Sequence, residues 1–190
     1  RYILPFVHKP LIFSRGIWNI PHLDAFLPEY HLQKAGFLAP ARPDMVMGWG
    51  LRPSTHKARA YAVRRKLPYI ALEDGFLRSP GLGITGWPPF AIVCDDIGIY
   101  YDTSRPSCLE QLLLAADKMP SETLTQAQQA MTFFIEHRLS KYNHAPEVSE
   151  RLMAERPSEK DIVLLIDQTF GDMAIQYGGA DAATFETMFQ

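Results

Sequence analysis

A chain of 190 residues is long enough to bury a full core, as one domain or two small ones. With 47% hydrophobic and 21% charged residues it has the composition of a soluble globular protein, and a formal charge of −2 gives no electrostatic reason for a nucleic-acid partner. Two cysteines, Cys94 and Cys108, exclude a disulfide scaffold or a zinc knuckle and read as small core residues in a reducing compartment. No apolar run is long enough to span a bilayer, and no signal peptide is visible. The chain opens on Arg1 and stops at Phe189-Gln190 within a helical pattern, so it reads as a piece of a longer protein.

In chain order, Phe13-Ser14-Arg15-Gly16-Ile17 predicts a loop that feeds a helix near Ile20-Pro21-His22-Leu23. Asp44–Met47 predicts a strand ending in Gly48-Trp49-Gly50, and a basic helix follows from about Ser54, with Thr55 beside it as a cap. That helix carries His56-Lys57-Ala58-Arg59 and Arg64-Arg65-Lys66, either a solvated face or a surface for anionic lipid. Pro68 introduces the buried strand Tyr69–Leu72, and Glu73-Asp74-Gly75 closes it.

A glycine-rich loop runs from Gly81 to Gly86 and ends at Trp87-Pro88-Pro89. Phe90–Cys94 and Ile99–Tyr101 predict two strands joined by a hairpin turn at Asp95-Asp96-Ile97-Gly98. Ser107 and Glu110 fit a capping box for a helix to about Lys118, and Ser121–Lys141 predicts a longer one. After the charged stretch Arg151–Lys160, Ile162–Ile166 is the strongest buried-strand signal, running into Asp167-Gln168-Thr169-Phe170-Gly171-Asp172. Strands alternating with helices predict an α/β fold with a Rossmann-like parallel sheet.

Carboxylates at the carboxyl ends of parallel strands lie where open sheets bind ligands and do chemistry. Glu73-Asp74 and the Asp167/Asp172 turn are therefore the candidate catalytic groups, the alternative for the first pair being a plain helix cap. Paired carboxylates suit sugar chemistry, one as nucleophile and one handling a proton. Arg78, four residues past Asp74, can answer an anionic substrate group. Trp49 is placed to stack on a base or sugar, or to fill the core. No phosphate loop, GxSxG elbow or HExxH pairing is present, and His22 and His31 read as loop or surface residues, so no metal site is expected.

These segments together resemble the capsule β-Kdo transferases of the KpsC family. The matches are collinear: Phe13–Ile17, Gly48–Gly50, Glu73–Ser79 with Gly81-Leu82-Gly83, Asp95–Asp102, Lys141-Tyr142-Asn143 and Asp167–Asp172. The resemblance implies a bacterial retaining glycosyltransferase of GT-B type that moves Kdo, an acidic eight-carbon sugar, from CMP-Kdo. The implied acceptor is a Kdo-primed phosphatidylglycerol glycolipid at the inner membrane, on which capsule is assembled. Family members carry two such modules, and this segment looks more like the N-terminal one, whose implied linkage is β-2,4.

By the same resemblance the route is double displacement through a covalent Kdo–Asp adduct. Asp172 is the implied nucleophile with Asp167 as second choice, and Asp74 or Glu73 the implied base, Asp74 placed first. Arg78 and Arg15 would meet the acidic ligand, with Ser14, Trp49 and Gln168 lining its site. CMP-Kdo is expected as donor substrate, with no separate cofactor, and the protein is expected in the cytoplasm, attached peripherally to the inner membrane within a capsule assembly or export complex.

Residues 1–150 are expected to form the acceptor-side domain, and 151–190 a linker and the opening of a nucleotide-sugar-binding domain. The His-Pro pair of sialyltransferase-like donor sites has no counterpart; the nearest approach is His144-Ala145-Pro146. The isolated segment is thus expected to show weak or no activity. The rival readings are a transferase of the same fold with other stereochemistry or donor, and a non-catalytic glycan- or glycolipid-binding module; product stereochemistry separates the first, absence of turnover the second.

Overall fold

The computed structural model describes residues 8–36, 42–155, 163 and 165–188. Its centre is a five-stranded sheet in the order β2-β1-β3-β4-β5. The strands are β1 (Pro10–Ile12), β2 (Gln33–Lys34), β3 (Met45–Trp49), β4 (Tyr69–Asp74) and β5 (Ile92–Asp95). β1 to β4 pair in parallel, and β5 closes the edge antiparallel to β4.

Alternation along the strands decides which face each side chain meets. Met45 and Met47 of β3 and Ile70 and Leu72 of β4 join Ile12 of β1 on one face. Ile17 of α1 (Arg15–Trp18), Leu23 of α2 (Leu23–Phe26) and Leu27 cover that face. On the other face Val46 packs beneath Ala58 and Ala62 of α3 (His56–Arg65), flanked by Tyr61, Leu67 and Tyr69. Small residues on the buried stripe of α3 let it lie close to the sheet; its Arg64 and Arg65 stay outside, while Arg59 is half-buried. Arg64 and Arg65 both lie over the Tyr61 ring, 5.6 and 5.7 Å from its centroid.

The remaining helices are α4 (Cys108–Leu114), α5 (Ser121–Glu136), α6 (Glu150–Ala154), α7 (Met173–Tyr177) and α8 (Ala182–Thr187). Neither α4 nor α5 buries a residue, and Leu112, Leu113, Leu114, Met131, Phe133 and Ile135 stand exposed on them. Among the described residues no helix is long and apolar enough to cross a membrane.

Several local expectations are corrected. Ser14 does not lie in a loop leading to a later helix: its Oγ caps α1 by accepting from the Ile17 N–H at 3.4 Å. Ser54 does not cap the basic helix; a 3-10 turn, Pro53–Thr55, precedes α3, and the Thr55 hydroxyl donates back to the Arg52 carbonyl at 2.7 Å. β4 extends two residues past Leu72, so Glu73 and Asp74 belong to the strand, and no helix follows for them to cap.

Ile99–Tyr101 forms no strand. The Asp95 carboxylate draws in the N–H groups of Ile97, Gly98 and Cys108 at 2.8–3.0 Å and folds the chain into a side-chain-directed turn in place of a hairpin ladder. Ser107 caps α4 as expected, accepting from the Glu110 N–H at 3.1 Å, while α5 stops at Glu136, short of Lys141, where Arg138 takes a left-handed φ of 51°. Of the strand expected over Ile162–Ile166, Ile162 and Leu164 lie outside the described residues. Val163, Leu165 and Ile166 are exposed and in no strand, since no neighbouring strand offers them a ladder among the described residues.

Cys94 packs partly against the core, but Cys108 sits at the start of α4 with Sγ 3.1 Å from Asp96 Oδ1. Asp95, Asp96 and Cys108 thereby bring possible ligand atoms within 4.8 Å of one another, a group the sequence reading did not foresee. Asp95 already spends both oxygens on backbone N–H groups there.

Candidate active site at the carboxyl edge of the sheet

β1, β3 and β4 run in parallel and end on one edge, so Ser14, the Gly48-Trp49-Gly50 turn and the Glu73-Asp74 pair all belong to that edge. Each glycine of the turn is a spatial requirement. A Cβ on Gly48 would meet the Tyr69 hydroxyl, and Gly50 has φ +51° with the Tyr101 hydroxyl and Glu73 Oε2 in the space a Cβ would take. Tyr69 then donates to the Gly50 carbonyl at 2.8 Å, and the Leu51 N–H donates to the Tyr101 oxygen at 2.9 Å.

Trp49 faces Glu73 across the strand pair: its indole N–H donates to Oε1 at 2.8 Å, and the Asp74 N–H donates to the same oxygen at 3.1 Å. Trp49 is therefore a positioning residue for Glu73 and packs against the core; it does not line the cavity. Burial raises the Glu73 pKa, an effect opposed by the Asp74 N–H, Arg52 and the Trp49 N–H and reinforced by the Asp74 charge. A carboxylate with a raised pKa holds a proton more readily, which suits a general base.

Asp74 is engaged differently. Its Oδ1 accepts from Arg78 Nε at 2.8 Å, and the pair is largely withdrawn from water. Arg78 Nη1 donates to Ser79 Oγ at 2.7 Å and to the Trp87 carbonyl at 2.8 Å, and Ser79 Oγ donates to the Gly81 carbonyl at 2.6 Å. Gly83 lies directly against the guanidinium, and Gly75 packs so closely on Ala91 that a Cβ could not be placed there. The stretch from Glu73 to Gly83 is thus a cradle that fixes Asp74 through a buried arginine. Arg78, which the sequence pattern suggested as a ligand contact, has its Nε and Nη1 engaged inside the protein by Asp74, Ser79 and the Trp87 carbonyl.

Replacing Arg78 by Ala is expected to destabilise the fold by about 3–5 kcal/mol, because Asp74 is left with an uncompensated buried charge. Thermal unfolding of Arg78→Ala beside Asp74→Asn/Arg78→Met checks it, since the double variant removes the stranded charge and should recover much of the loss.

The second carboxylate group arrives from a segment almost a hundred residues later. Asp172 caps α7, its Oδ1 accepting from the Ala174 N–H at 2.9 Å. Tyr177 at the end of α7 ties that helix to the body. Its carbonyl accepts from the Thr103 N–H at 3.0 Å and the Thr103 hydroxyl at 3.1 Å, its hydroxyl reaches the Leu51 carbonyl at 3.5 Å, and its ring lies 6.2 Å from that of Tyr101. The result is a cavity of about 660 Å³ in which Glu73, Asp74 and Asp172 share walls with Arg52, Tyr100, Lys141, Tyr142 and Gln168.

Tyr100 is held protonated: burial first, then Glu73, Tyr101, Asp74 and Asp172, push its pKa up to about 12. Its hydroxyl is a donor at neutral pH, set among three carboxylates. Burial, with Asp74 as the next cause, raises Tyr142 as well.

Asp167 lies outside this cavity. It lines an adjoining one of about 520 Å³ with Asp172, Phe170, Ile175 and Phe185, and Asp167 Oδ1 accepts from the Gln168 N–H. Arg15 is exposed and, like Ser14, lines neither cavity. Arg52 and the tyrosines Tyr100 and Tyr142 line the site without having been singled out as ligand-binding residues. Arg52 stands two residues beyond Gly50, and both tyrosines lie within motifs already noted, which was the available signal.

Asp95 supports the site from behind by fixing the turn that presents Tyr100 and Tyr101. Burial acts to raise its pKa, but the N–H groups of Gly98, Ile97 and Cys108 and the Cys108 thiol outweigh it and leave the value lowered. A lowered folded pKa contributes stability that is full above the unfolded value, about 3.9, and is lost as the pH falls through the folded one. Asp95→Asn is expected to cost about 1–3 kcal/mol at neutral pH and to flatten the acid side of the stability profile. Urea unfolding between pH 2 and pH 7 (the ordinary acid range of carboxylates) measures both.

A mostly parallel sheet with carboxylates gathered at its carboxyl edge is the architecture of one half of a GT-B-type glycosyltransferase, and a solved structure matches it closely. The chain belongs to the family of capsule polysaccharide biosynthesis proteins, whose pattern residues 44–190 match. The Thermosulfurimonas dismutans KpsC β-Kdo 2,4 transferase superimposes with a TM-score of 0.84 at 41% identity, over 96% of this chain and 56% of that one. The β-Kdo 2,7 transferase of the same protein gives 0.58 at 26%, over 90% and 51%.

Among curated proteins, the capsule polysaccharide modification protein LipA of Neisseria meningitidis serogroup B is 67% identical over 184 residues. The lipopolysaccharide-processing protein LpsZ of Rhizobium meliloti is 35% identical over 139. The chain spans 97% of itself in the LipA match but only 26% of LipA, about a quarter of that relative's length.

Proposed function

We propose that this chain is the acceptor-side half, with the start of the donor side, of a retaining β-Kdo transferase in capsule linker synthesis. In this reading residues 1–150 form the acceptor domain and 151–190 open the nucleotide-sugar-binding one. CMP-Kdo is the donor, a Kdo-primed phosphatidylglycerol glycolipid the acceptor, and the protein works in the cytoplasm as a peripheral partner of the inner membrane. The observation that carries the reading is the shared cavity of Glu73, Asp74 and Asp172, two elements far apart in sequence meeting on one side of the sheet.

Asp172 is the nucleophile of this mechanism: with Oδ1 held by the Ala174 N–H, Oδ2 attacks the anomeric carbon of Kdo and CMP departs with the bonding pair. In the second step Glu73 takes the proton of the acceptor hydroxyl, the oxygen attacks the same carbon, and the bond to Asp172 breaks. Two inversions retain configuration. Glu73 is chosen over Asp74 because Asp74 is committed to Arg78, while Glu73 carries the raised pKa. Tyr100, a protonated donor in the same cavity, hydrogen-bonds oxygen atoms of the sugar. The mechanism calls for no metal or further cofactor.

The test uses the full-length parent protein with CMP-Kdo and a Kdo-primed lipid acceptor. The expected result is an acceptor heavier by one Kdo with retained anomeric configuration, and a Kdo-bearing peptide containing Asp172 when acceptor is withheld. Inverted product would leave the fold and discard the double displacement. Acceptor binding without any transfer would point to a glycolipid-binding module.

A further inference from the structure

Two cations stand in the wall of the cavity. Arg52 and Lys141 both line it, and among the described residues neither makes an ion pair. Their backbones, by contrast, are fixed. The Arg52 carbonyl accepts from the Thr55 N–H at 2.9 Å and the Thr55 hydroxyl at 2.7 Å. The Lys141 carbonyl accepts from the N–H groups of Arg78 and Ser79 at 3.0 and 3.3 Å.

Lys141 is thus tied by its backbone to the segment that follows Asp74, and Arg52 stands two residues beyond Gly50, against which Glu73 Oε2 lies. Lys141 Nζ lies 5.7 Å from the Tyr142 ring centroid, and the Arg52 charge is close enough to Glu73 and Tyr101 to oppose the burial that raises both pKa values.

The charge balance says what these cations are for. Arg78 answers Asp74 inside the protein, so Glu73 and Asp172 remain as the negative groups facing the cavity. An anionic sugar entering between them meets like charge and is repelled unless cations receive it. Arg52 and Lys141 supply that reception from walls shared with both carboxylates, and Tyr100 and Tyr142 give the sugar ring aromatic surface.

We infer that Arg52 and Lys141 form the anion-reading subsite of this cavity, binding the carboxylate of an acidic sugar at the acceptor position and selecting it over neutral sugars. The inference rests on the acceptor reading above.

Binding of a Kdo-terminated glycoside and of its C1 carboxamide to the full-length protein, by calorimetry, tests it, with transfer from CMP-Kdo measured on the same samples. Wild type is expected to bind the acid about 10- to 100-fold more tightly than the amide, the scale of one or two charge-assisted hydrogen bonds. In Arg52→Gln/Lys141→Gln that preference should vanish through loss of acid binding, with amide binding unchanged. Among the described residues neither side chain makes an ion pair, so the variant is expected to keep its thermal midpoint.

No preference in wild type, or a preference that survives the double replacement, overturns the inference. Preference lost in the variant while wild type transfers no Kdo supports the subsite and removes the transferase reading. Transfer with an intact preference in the variant does the reverse.

Discussion

Asp172→Asn in the full-length protein is expected to lower transfer by about 10⁴-fold or more, the scale of losing an enzymic nucleophile, and to abolish the covalent Kdo adduct. The replacement is structurally mild. Asn is as good a helix cap as Asp, and its carbonyl oxygen can still accept from the Ala174 N–H that now meets Oδ1. Fold and acceptor binding should therefore survive, and the loss should sit in kcat.

Asp167→Asn provides the counterweight, because Asp167 lies in the adjoining cavity and not with Glu73 and Asp74. Near-wild-type transfer by Asp172→Asn with loss in Asp167→Asn would move the nucleophile. Single-turnover transfer and intact-protein mass measure both variants.

The second large effect concerns the base. Glu73→Gln keeps an oxygen for the Trp49 indole N–H and the Asp74 N–H but cannot take a proton at neutral pH. Transfer should fall by about 10²–10⁴-fold, the usual contribution of general base catalysis. The pH profile makes the role specific. A base works deprotonated, so wild-type activity should fall as the pH drops through the Glu73 pKa, which burial has raised. In Glu73→Gln the small residual activity should lack that acidic limb. If Asp74→Asn erases the limb and Glu73→Gln retains it, the base is Asp74 and its pairing with Arg78 is part of the chemistry.

The strand-to-turn plan of this edge was readable because apolar runs followed by Glu73-Asp74 or Gly48-Trp49-Gly50 obey short-range rules. What those residues touch was not. Trp49 reaches Glu73 only because β3 and β4 pair with Trp49 opposite Leu72, and sequence periodicity does not set register between strands. Arg78 was read as a ligand contact because arginine near a carboxylate suits anions; its burial depends on the Gly81–Trp87 loop folding back over it, a tertiary event.

Ile99–Tyr101 has strand composition, yet Asp95 captured the preceding N–H groups and converted the hairpin into a turn. β1 is three residues long and carries too little pattern to be noticed. Val163, Leu165 and Ile166 have the apolar character of a strand, but a strand exists only in the presence of another to pair with.

The uncovered side chains of α4 and α5 carry a practical consequence. Leucines 112 to 114 with Met131, Phe133 and Ile135 give water an apolar surface that a freely diffusing protein seldom tolerates. The 190-residue segment made alone should bind a fluorescent apolar dye while still folded, associate as its concentration rises, and occupy holding chaperones in the cell that expresses it. Detergent at low concentration should disperse it without unfolding the sheet, whose own apolar residues are already enclosed.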